Sequence, residues 1–170
     1  IARGKTLPSS MQYAPLQAGY DLFTVEDLMA GRAITAEYTG HAWRKHLKID
    51  APLSTPQEAG ELLVNLSRQY DFALHSHWMT DYVGHRGPFE SGLELLATID
   101  GVIEGILSLW DDDEGLVILT SDHGNMEHIG DRKHTENDVP TLIIGNAKKH
   151  FVGTFSRLTD FVPHMSDLLF

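Results

Sequence analysis

The feature that most constrains the fold of this chain is an alternation of short apolar runs with longer amphipathic stretches. Residues 116–120 (LVILT) and 139–144 are strand-like and largely apolar, which is typical of strands buried on both faces of a parallel sheet. Residues 70–78 (YDFALHSHW) have the pattern of another buried strand. Strands of this kind that alternate with helices predict an α/β layered fold.

Two long helices are predicted between these runs. Thr55 can cap a helix that begins at Pro56, and Glu58 completes a capping box. We therefore expect a helix over residues 56–69. A second helix is expected over residues 89–110, where apolar residues recur with the helical period. These two helices are the most regular part of the predicted fold.

The two ends of the chain give weaker signals. Residues 1–53 are rich in glycine and proline, and we predict only one short helix there, over residues 24–30 behind the cap Thr24. The sequence of the C-terminal tail predicts a closing helix, with Asp160 as its cap and Pro163 near its start. The ends therefore add two helices to the two long ones.

Composition bounds the class of protein. The length of 170 residues suits one domain, with an irregular part over residues 1–53 and an α/β core over residues 54–170. A net charge of −11 argues against a nucleic-acid partner, and no apolar run approaches the roughly 20 residues that span a membrane. The chain has no cysteine, so nitrogen and oxygen would hold any metal, and we expect a cytoplasmic location. Because the first residue is isoleucine, we expect the natural start to lie upstream.

Three short polar clusters carry the candidate functional residues. Asp81 and His85 lie in TDYVGHRG, Asp122 and His123 lie in TSDHGN, and His134 lies in RKHTENDVP. Each cluster falls at a predicted strand end or in the loop after one, where sites of open α/β sheets form. Two carboxylates and three imidazoles suit borderline divalent cations such as Zn²⁺ or Mn²⁺ and indicate more than one ion. The four-residue spacing in the first cluster would place both side chains on one helix face.

The order of these motifs resembles the C-terminal half of the alkaline phosphatase superfamily. The pattern is D-x-V-G-H, then S-D-H-G-N, then H-T before a V-P strand, and a final L-x-D-x-x-P helix. It covers residues 71–170, and it is most similar to cofactor-independent phosphoglycerate mutases and related metalloenzyme domains. The resemblance implies a three-layer α/β sandwich with a mostly parallel sheet. It also implies two divalent ions, Mn²⁺ or Zn²⁺, and the mutase branch favours Mn²⁺.

The resemblance also implies which residues hold each ion. Asp81, His85 and His134 fall on the three ligands of the first ion in the superfamily. Asp122 and His123 fall on two ligands of the second ion. The chain thus carries a full set of side chains for one ion and a partial set for the other.

The superfamily also needs groups that this chain lacks. A further aspartate on the second ion and a serine or threonine nucleophile precede these motifs in the superfamily, and residues 1–70 contain no matching pattern. Ser9 and Ser10 are expected to lie in a loop. We therefore predict a fragment without a catalytic residue, which is inactive alone. Its partner is the missing N-terminal part of the same protein.

The full-length protein is expected to be a two-metal phosphomutase or phosphatase that acts on a small phosphorylated substrate. Two other interpretations stay open. The chain could be a metal-stabilised domain without catalysis, or part of another hydrolase of the superfamily such as a phosphodiesterase or a sulfatase. The upstream sequence separates them, because the enzymes need a nucleophile there and a sulfatase needs an oxidisable Cys or Ser.

Several other polar residues have no assigned role. His75 and His77 lie two positions apart on the predicted strand before the first motif, and therefore on the same face. There they would either orient a ligand or pack in the sheet. Glu127 and His128 follow the second motif, and the sequence favours neither a ligand nor a solvated loop. The remaining histidines are expected at the surface or in the core; they are His41, His46, His150 and His164.

Overall fold

The computed structural model describes residues 9–154 and 156–170, and most of its regular structure is helical. Its helices are α1 (Ser10–Gln17), α2 (Val25–Met29), α3 (Pro56–Ser67), α4 (Met79–Arg86), α5 (Phe89–Leu109) and α6 (Phe161–Leu169). Its strands are β1 (Val117–Leu119) and β2 (Leu142–Ile144). A π-helical turn covers Trp43–Leu47, and 3₁₀ turns cover Met126–His128, Asn146–His150 and Leu158–Asp160. No helix in the described ranges combines the length and the apolar character needed to cross a bilayer.

Helices α2 and α3 begin where their capping signals predict, whereas the capping predicted at the C-terminal helix differs. Thr24 caps α2 and Thr55 caps α3, each within a complete capping box. Asp160 precedes α6, but its carboxylate accepts hydrogen bonds from the N–H groups of Ser156 (3.1 Å) and Arg157 (3.0 Å). A 3₁₀ turn ends at Asp160, so this carboxylate faces back to the preceding loop and does not cap α6.

Helices α3 and α5 form the centre of the fold. Their backbones come into direct contact at Gly105, where a Cβ would overlap the carbonyl oxygen of Gln57. Tyr38, Ala59 and Val102 are buried in the core that these helices share. The partly buried side chains around this core are Ile34, Leu63, Ile99 and Ile106. A smaller cluster under the N-terminal part contains Leu28, Ala33 and Ala51.

The sheet differs from the prediction in size, direction and burial. In the described ranges it has two strands, and they pair antiparallel with Ile118 opposite Ile143. The connection between them consists of loops and one 3₁₀ turn, whereas a parallel pair needs a longer crossover, usually a helix. Leu119 and Leu142 are exposed, so these strands are not buried on both faces. The described residues therefore do not form the mostly parallel, three-layer sandwich that was predicted.

The predicted strand over residues 70–78 is also absent. Residues 70 and 71 form a bend and residues 72–78 have no regular secondary structure, and no strand within the described ranges pairs with them. A strand needs a neighbour for its backbone groups, so the sequence pattern alone cannot make one. Phe72 and Leu74 remain exposed, while His75 and His77 stack on the ring of Tyr38.

The N-terminal part is more regular than predicted. Ser9 caps α1 by accepting a hydrogen bond from the Gln12 N–H at 3.4 Å, and the Gln12 side chain accepts one from the Ser9 N–H. Ser10 is the first residue of that helix. The prediction of a loop at these two serines is therefore wrong, and the same prediction for residues 1–8 lies outside the described residues.

Candidate metal centre

Helix α4 presents the first motif. Asp81 and His85 lie on one face of the helix, with His85 Nε2 3.3 Å from Asp81 Oδ1. The loop after β1 packs against this helix at Gly84, where a Cβ would overlap the side chain of Asn125. The glycine of D-x-V-G-H therefore allows the loop to reach the two candidate ligands.

The carboxylate of Glu127 holds the loops of the second and third motifs together. It accepts hydrogen bonds from the Asn125 N–H (2.8 Å), the Asn137 side-chain amide (3.0 Å) and the Thr135 hydroxyl. These hydrogen bonds, with that from Thr135 the largest cause, lower the pKa of Glu127 to about 2. An ionised carboxylate thus ties the TSDHGN loop to the loop that carries His134.

His134 brings the third motif to the exposed face of α4. Its Nε2 lies 3.0 Å from His85 Nε2 and 3.1 Å from Asp81 Oδ1. With the 3.3 Å between Asp81 and His85, three possible donor atoms form a compact triangle. Donor atoms that share one cation lie about 3–3.5 Å apart when each bond is about 2.0–2.2 Å. The triangle therefore has the size of one divalent-metal site.

One contact with a backbone carbonyl group and one with a side-chain amide orient this triangle. His85 Nδ1 lies 3.0 Å from the carbonyl oxygen of Asp131, which can only accept, so Nδ1 carries the proton. The lone pair of His85 Nε2 is then directed at the cluster. Metal-binding histidines are commonly oriented in this way, by a hydrogen bond from the ring nitrogen that does not bind the metal. Asn125 Nδ2 donates to Asp81 Oδ1 at 3.0 Å and so fixes that carboxylate.

The environment of Asp81 favours its ionised form. Partial burial raises the pKa of Asp81, but the hydrogen bonds from Asn125 and His134 and the nearby imidazoles of His85 and His134 lower it by more. The net result is a pKa below the usual range of aspartate. A carboxylate that is ionised near neutral pH is the form that binds a cation.

Asp122 and His123 reach the edge of the same cluster. His123 Nε2 lies 3.5 Å from Asp122 Oδ1 and 3.9 Å from Asp81 Oδ1. The ring of His123 stacks on that of His134 with a centroid separation of 3.5 Å. The side chain of Asp122 is 81% exposed, so it lies at the rim of the cluster. The structure thus brings together the side chains of all three motifs, with Asp122 the most peripheral.

Asn125 and Glu127 matter more than the sequence indicated. Sequence patterns alone assigned no role to Asn125, yet its side chain is almost fully buried and contacts Asp81. Its place in S-D-H-G-N was the one available signal. His75 and His77, by contrast, contact Tyr38 and contribute nothing to the triangle.

Sequence comparison supports a metal-binding role for this part of the chain. The family model of the Metalloenzyme superfamily matches residues 48–169. The chain belongs to this superfamily. The match runs from the end of the N-terminal part to the last turn of α6 and includes every residue of the cluster. Membership implies an α/β fold of the alkaline phosphatase type and the use of divalent metal, which the carboxylate–imidazole donor set fits.

Curated relatives named 2,3-bisphosphoglycerate-independent phosphoglycerate mutase are similar to this chain. The relative from Antithamnion sp. is 29% identical over 126 residues, which cover 69% of this chain and 25% of the relative. The relative from Methylobacillus flagellatus is 32% identical over 107 residues, covering 59% and 21%. The relative from Yersinia pestis strain Pestoides F is 30% identical over 128 residues, covering 69% and 24%. The chain spans about a quarter of the length of these relatives, and no solved structure matches it.

Proposed function

We propose that Asp81, His85 and His134 hold one divalent ion, Mn²⁺ or Zn²⁺, and that Asp122 and His123 supply part of the ligand set of a second ion. The observation that supports this is the triangle of donor atoms with sides of 3.0, 3.1 and 3.3 Å, assembled from two separate motifs. One carboxylate with two imidazoles is a donor set that both ions accept. The resemblance to mutases favours Mn²⁺.

The chain then serves as the metal-binding part of a phosphoryl-transfer enzyme, a phosphomutase or phosphatase with a small phosphorylated substrate. A bound dication supplies a Lewis acid that polarises a phosphoryl oxygen. The chain's own groups prepare the site: Asn125 fixes Asp81, and the Asp131 carbonyl group fixes the tautomer of His85. The lack of cysteine agrees with a cytoplasmic location, and the charge of −11 agrees with a partner other than nucleic acid.

The nucleophile of this enzyme belongs to another part of the same protein, and residues 1–170 act as one domain fragment. Two hydroxyl groups lie beside the candidate ligands, and both donate to acceptors in the loops. The Ser121 hydroxyl donates to the His123 carbonyl oxygen at 2.8 Å, and the Thr135 hydroxyl donates to Glu127. The isolated chain is therefore expected to bind metal without turning over p-nitrophenyl phosphate above the metal-only background. If turnover appears, alanine substitution of Ser121 and of Thr135 would locate an overlooked nucleophile.

Metal binding can be measured as a gain in stability. Ligand that binds only the folded chain at about 1,000 times its Kd adds about 4 kcal/mol to the free energy of unfolding. Denaturant titration with and without Mn²⁺ or Zn²⁺ should show such a gain. The double substitution Asp81→Asn and His85→Ala should abolish this gain. His128→Ala should keep it, because this exposed histidine lies in the 3₁₀ turn after the second motif and outside the triangle.

The same titration has a defined pH dependence. Imidazole binds a cation only when it is neutral, so metal affinity should fall as the solution is made acidic. A double variant that gains as much stability from metal as the parent would reject this ligand set. A full-length protein that binds metal through these residues but shows no phosphoryl transfer would favour a non-catalytic domain.

A further inference from the structure

A pocket on the outer side of the triangle is not explained by metal binding. It has a volume of about 630 Å³ and is lined by His85, Arg86, Gly87, Gly130 and Arg132. This volume lies within the range of about 300–1,000 Å³ that is usual for small-molecule sites. Because His85 is shared, the pocket adjoins the candidate metal centre.

Two arginines line this pocket, and neither pairs with a carboxylate of the described residues. Within residues 9–154 and 156–170, no carboxylate pairs with Arg86 or Arg132. Arg86 lies over a ring face, with its guanidinium carbon 5.8 Å from the centroid of Tyr82. Three other arginines do pair with carboxylates; they are Arg32 with Asp27, Arg44 with Asp50 and Arg68 with Glu114. Two arginines without a carboxylate partner in the described residues therefore line one pocket of a chain that has 24 acidic and 13 basic residues.

The backbone fixes these arginines relative to the candidate metal centre. Arg86 follows His85 in the last turn of α4, and Arg132 follows Asp131, whose carbonyl oxygen faces His85 Nδ1. The Gly130 N–H donates to the Gly84 carbonyl oxygen at 2.6 Å, which joins the same two segments a second time. The pocket and the triangle therefore share one local framework.

We propose that Arg86 and Arg132 form an oxyanion-binding subsite that opens onto the His85 side of the candidate metal centre. Its ligand class is phosphate, because two cationic groups face the pocket and the guanidinium fork matches the oxygens of a phosphoryl group. A role for this subsite in a phosphoryl-transfer enzyme rests on the proposed function. The binding of an oxyanion does not, since it needs no metal.

The test uses the 170-residue chain, freed of metal on a chelating resin, and inorganic phosphate as the probe. Phosphate is titrated at constant ionic strength while the arginine Nε–Hε signals are followed by NMR. We expect the signals of Arg86 and Arg132 to shift and saturate, while the ion-paired Arg68 stays unchanged. The double substitution Arg86→Gln and Arg132→Gln should lower phosphate affinity by about tenfold or more.

The matched control is Lys133→Gln, which removes a positive charge next to Arg132 from a side chain outside the pocket lining. It should keep phosphate affinity within about twofold of the parent. Non-saturating shifts, an equal loss in the control, or tighter binding of acetate than of phosphate would each overturn the proposal. Both arginines are exposed, so the unfolding free energy of the double variant should match the parent and a folding defect is readily seen.

The outcome separates this subsite from the metal centre. Saturable phosphate binding without any stabilisation by Mn²⁺ or Zn²⁺ would reject the metal centre and keep the subsite. Metal stabilisation without phosphate binding would reject the subsite alone.

Discussion

The sequence pattern predicts the helical pair α3–α5 well and the strands poorly. The pair follows its signals closely, from the cap at Thr55 to the buried Ala59 and Val102. The segments predicted as buried strands do not follow their signals: Leu74 is 65% exposed, and β1 and β2 have three residues each. A helix satisfies its backbone internally, whereas a strand needs a second strand at the correct distance.

Tyr38 is where the two regions meet. Its ring is buried in the core with Ala59 and Val102, and it also stacks on His75 and His77 from the segment that precedes α4. The segment before α4 is thus attached to the helical pair by ring stacking in place of a strand ladder. Because α4 carries Asp81 and His85, this attachment contributes to the position of the candidate metal centre.

The attachment through His75 should be sensitive to acid, and this is the largest effect we expect on the stability of the metal-free protein. Burial, together with the charge of His77, lowers the pKa of His75 to about 4. The unfolded chain then binds a proton at this residue below about pH 6.5 while the folded chain does not, so stability is lost as the pH falls. Between pH 7.5 and 4.5 the loss should be about 2–3 kcal/mol.

Denaturant titrations of metal-free protein at these two pH values measure this loss. His75→Phe, which can still stack on Tyr38, should remove the part of the loss that His75 causes and leave the part from His77, whose pKa burial also lowers. His41→Phe at an exposed position should leave the whole loss in place. The carboxylates of Asp27 and Glu127, whose pKa values are lowered to about 2 from ordinary values of 3.8 and 4.5, lose most of their contribution below pH 4.5 and do so equally in both variants. An equal pH dependence in both variants would show that the attachment does not depend on His75.

The helical pair should break at its closest contact. Ala is normally better than Gly inside a helix by about 1 kcal/mol. Gly105→Ala should nevertheless lower the unfolding free energy by about 2 kcal/mol, because its Cβ would overlap the Gln57 carbonyl oxygen and force the helices apart. Gly115→Ala is the matched control, since its Cβ would meet the Trp110 ring at 3.6 Å, an ordinary contact. A stabilised Gly105→Ala variant would contradict the close approach of α3 and α5.

The same contrast explains how much of the structure the sequence could predict. Helix bounds follow from signals within a few residues of each other, so α2, α3 and α5 were predicted correctly. The alternating pattern of residues 70–78 says which residues share a face but not whether a neighbouring strand exists. The described residues do not show the predicted parallel sheet, because strand direction depends on partners far along the chain.

The candidate site divides in a similar way. The prediction that Asp81, His85 and His134 converge could be made from motif order and from the resemblance to a family, and the structure brings their donor atoms within 3.3 Å of one another. That they bind metal stays a prediction. The contacts of Asn125 with Asp81 span 44 positions of the chain, so no local pattern indicates them. The unpaired state of the two pocket arginines likewise depends on where every carboxylate lies.

The smallest effect should come from the cap that the sequence identified most directly. Thr55 accepts a hydrogen bond from the Glu58 N–H at 3.2 Å, and the Glu58 carboxylate accepts one from the Thr55 N–H at 2.8 Å. Thr55→Ala should lower the unfolding free energy by about 1 kcal/mol, because one N–H of the first turn loses its partner. Thr98→Ala is the matched control within α5, where the hydroxyl donates only to a carbonyl oxygen of its own helix. This control should be neutral or slightly stabilising in the same denaturant titration. If both variants lose the same stability, α3 owes its position to packing against α5 and not to its cap.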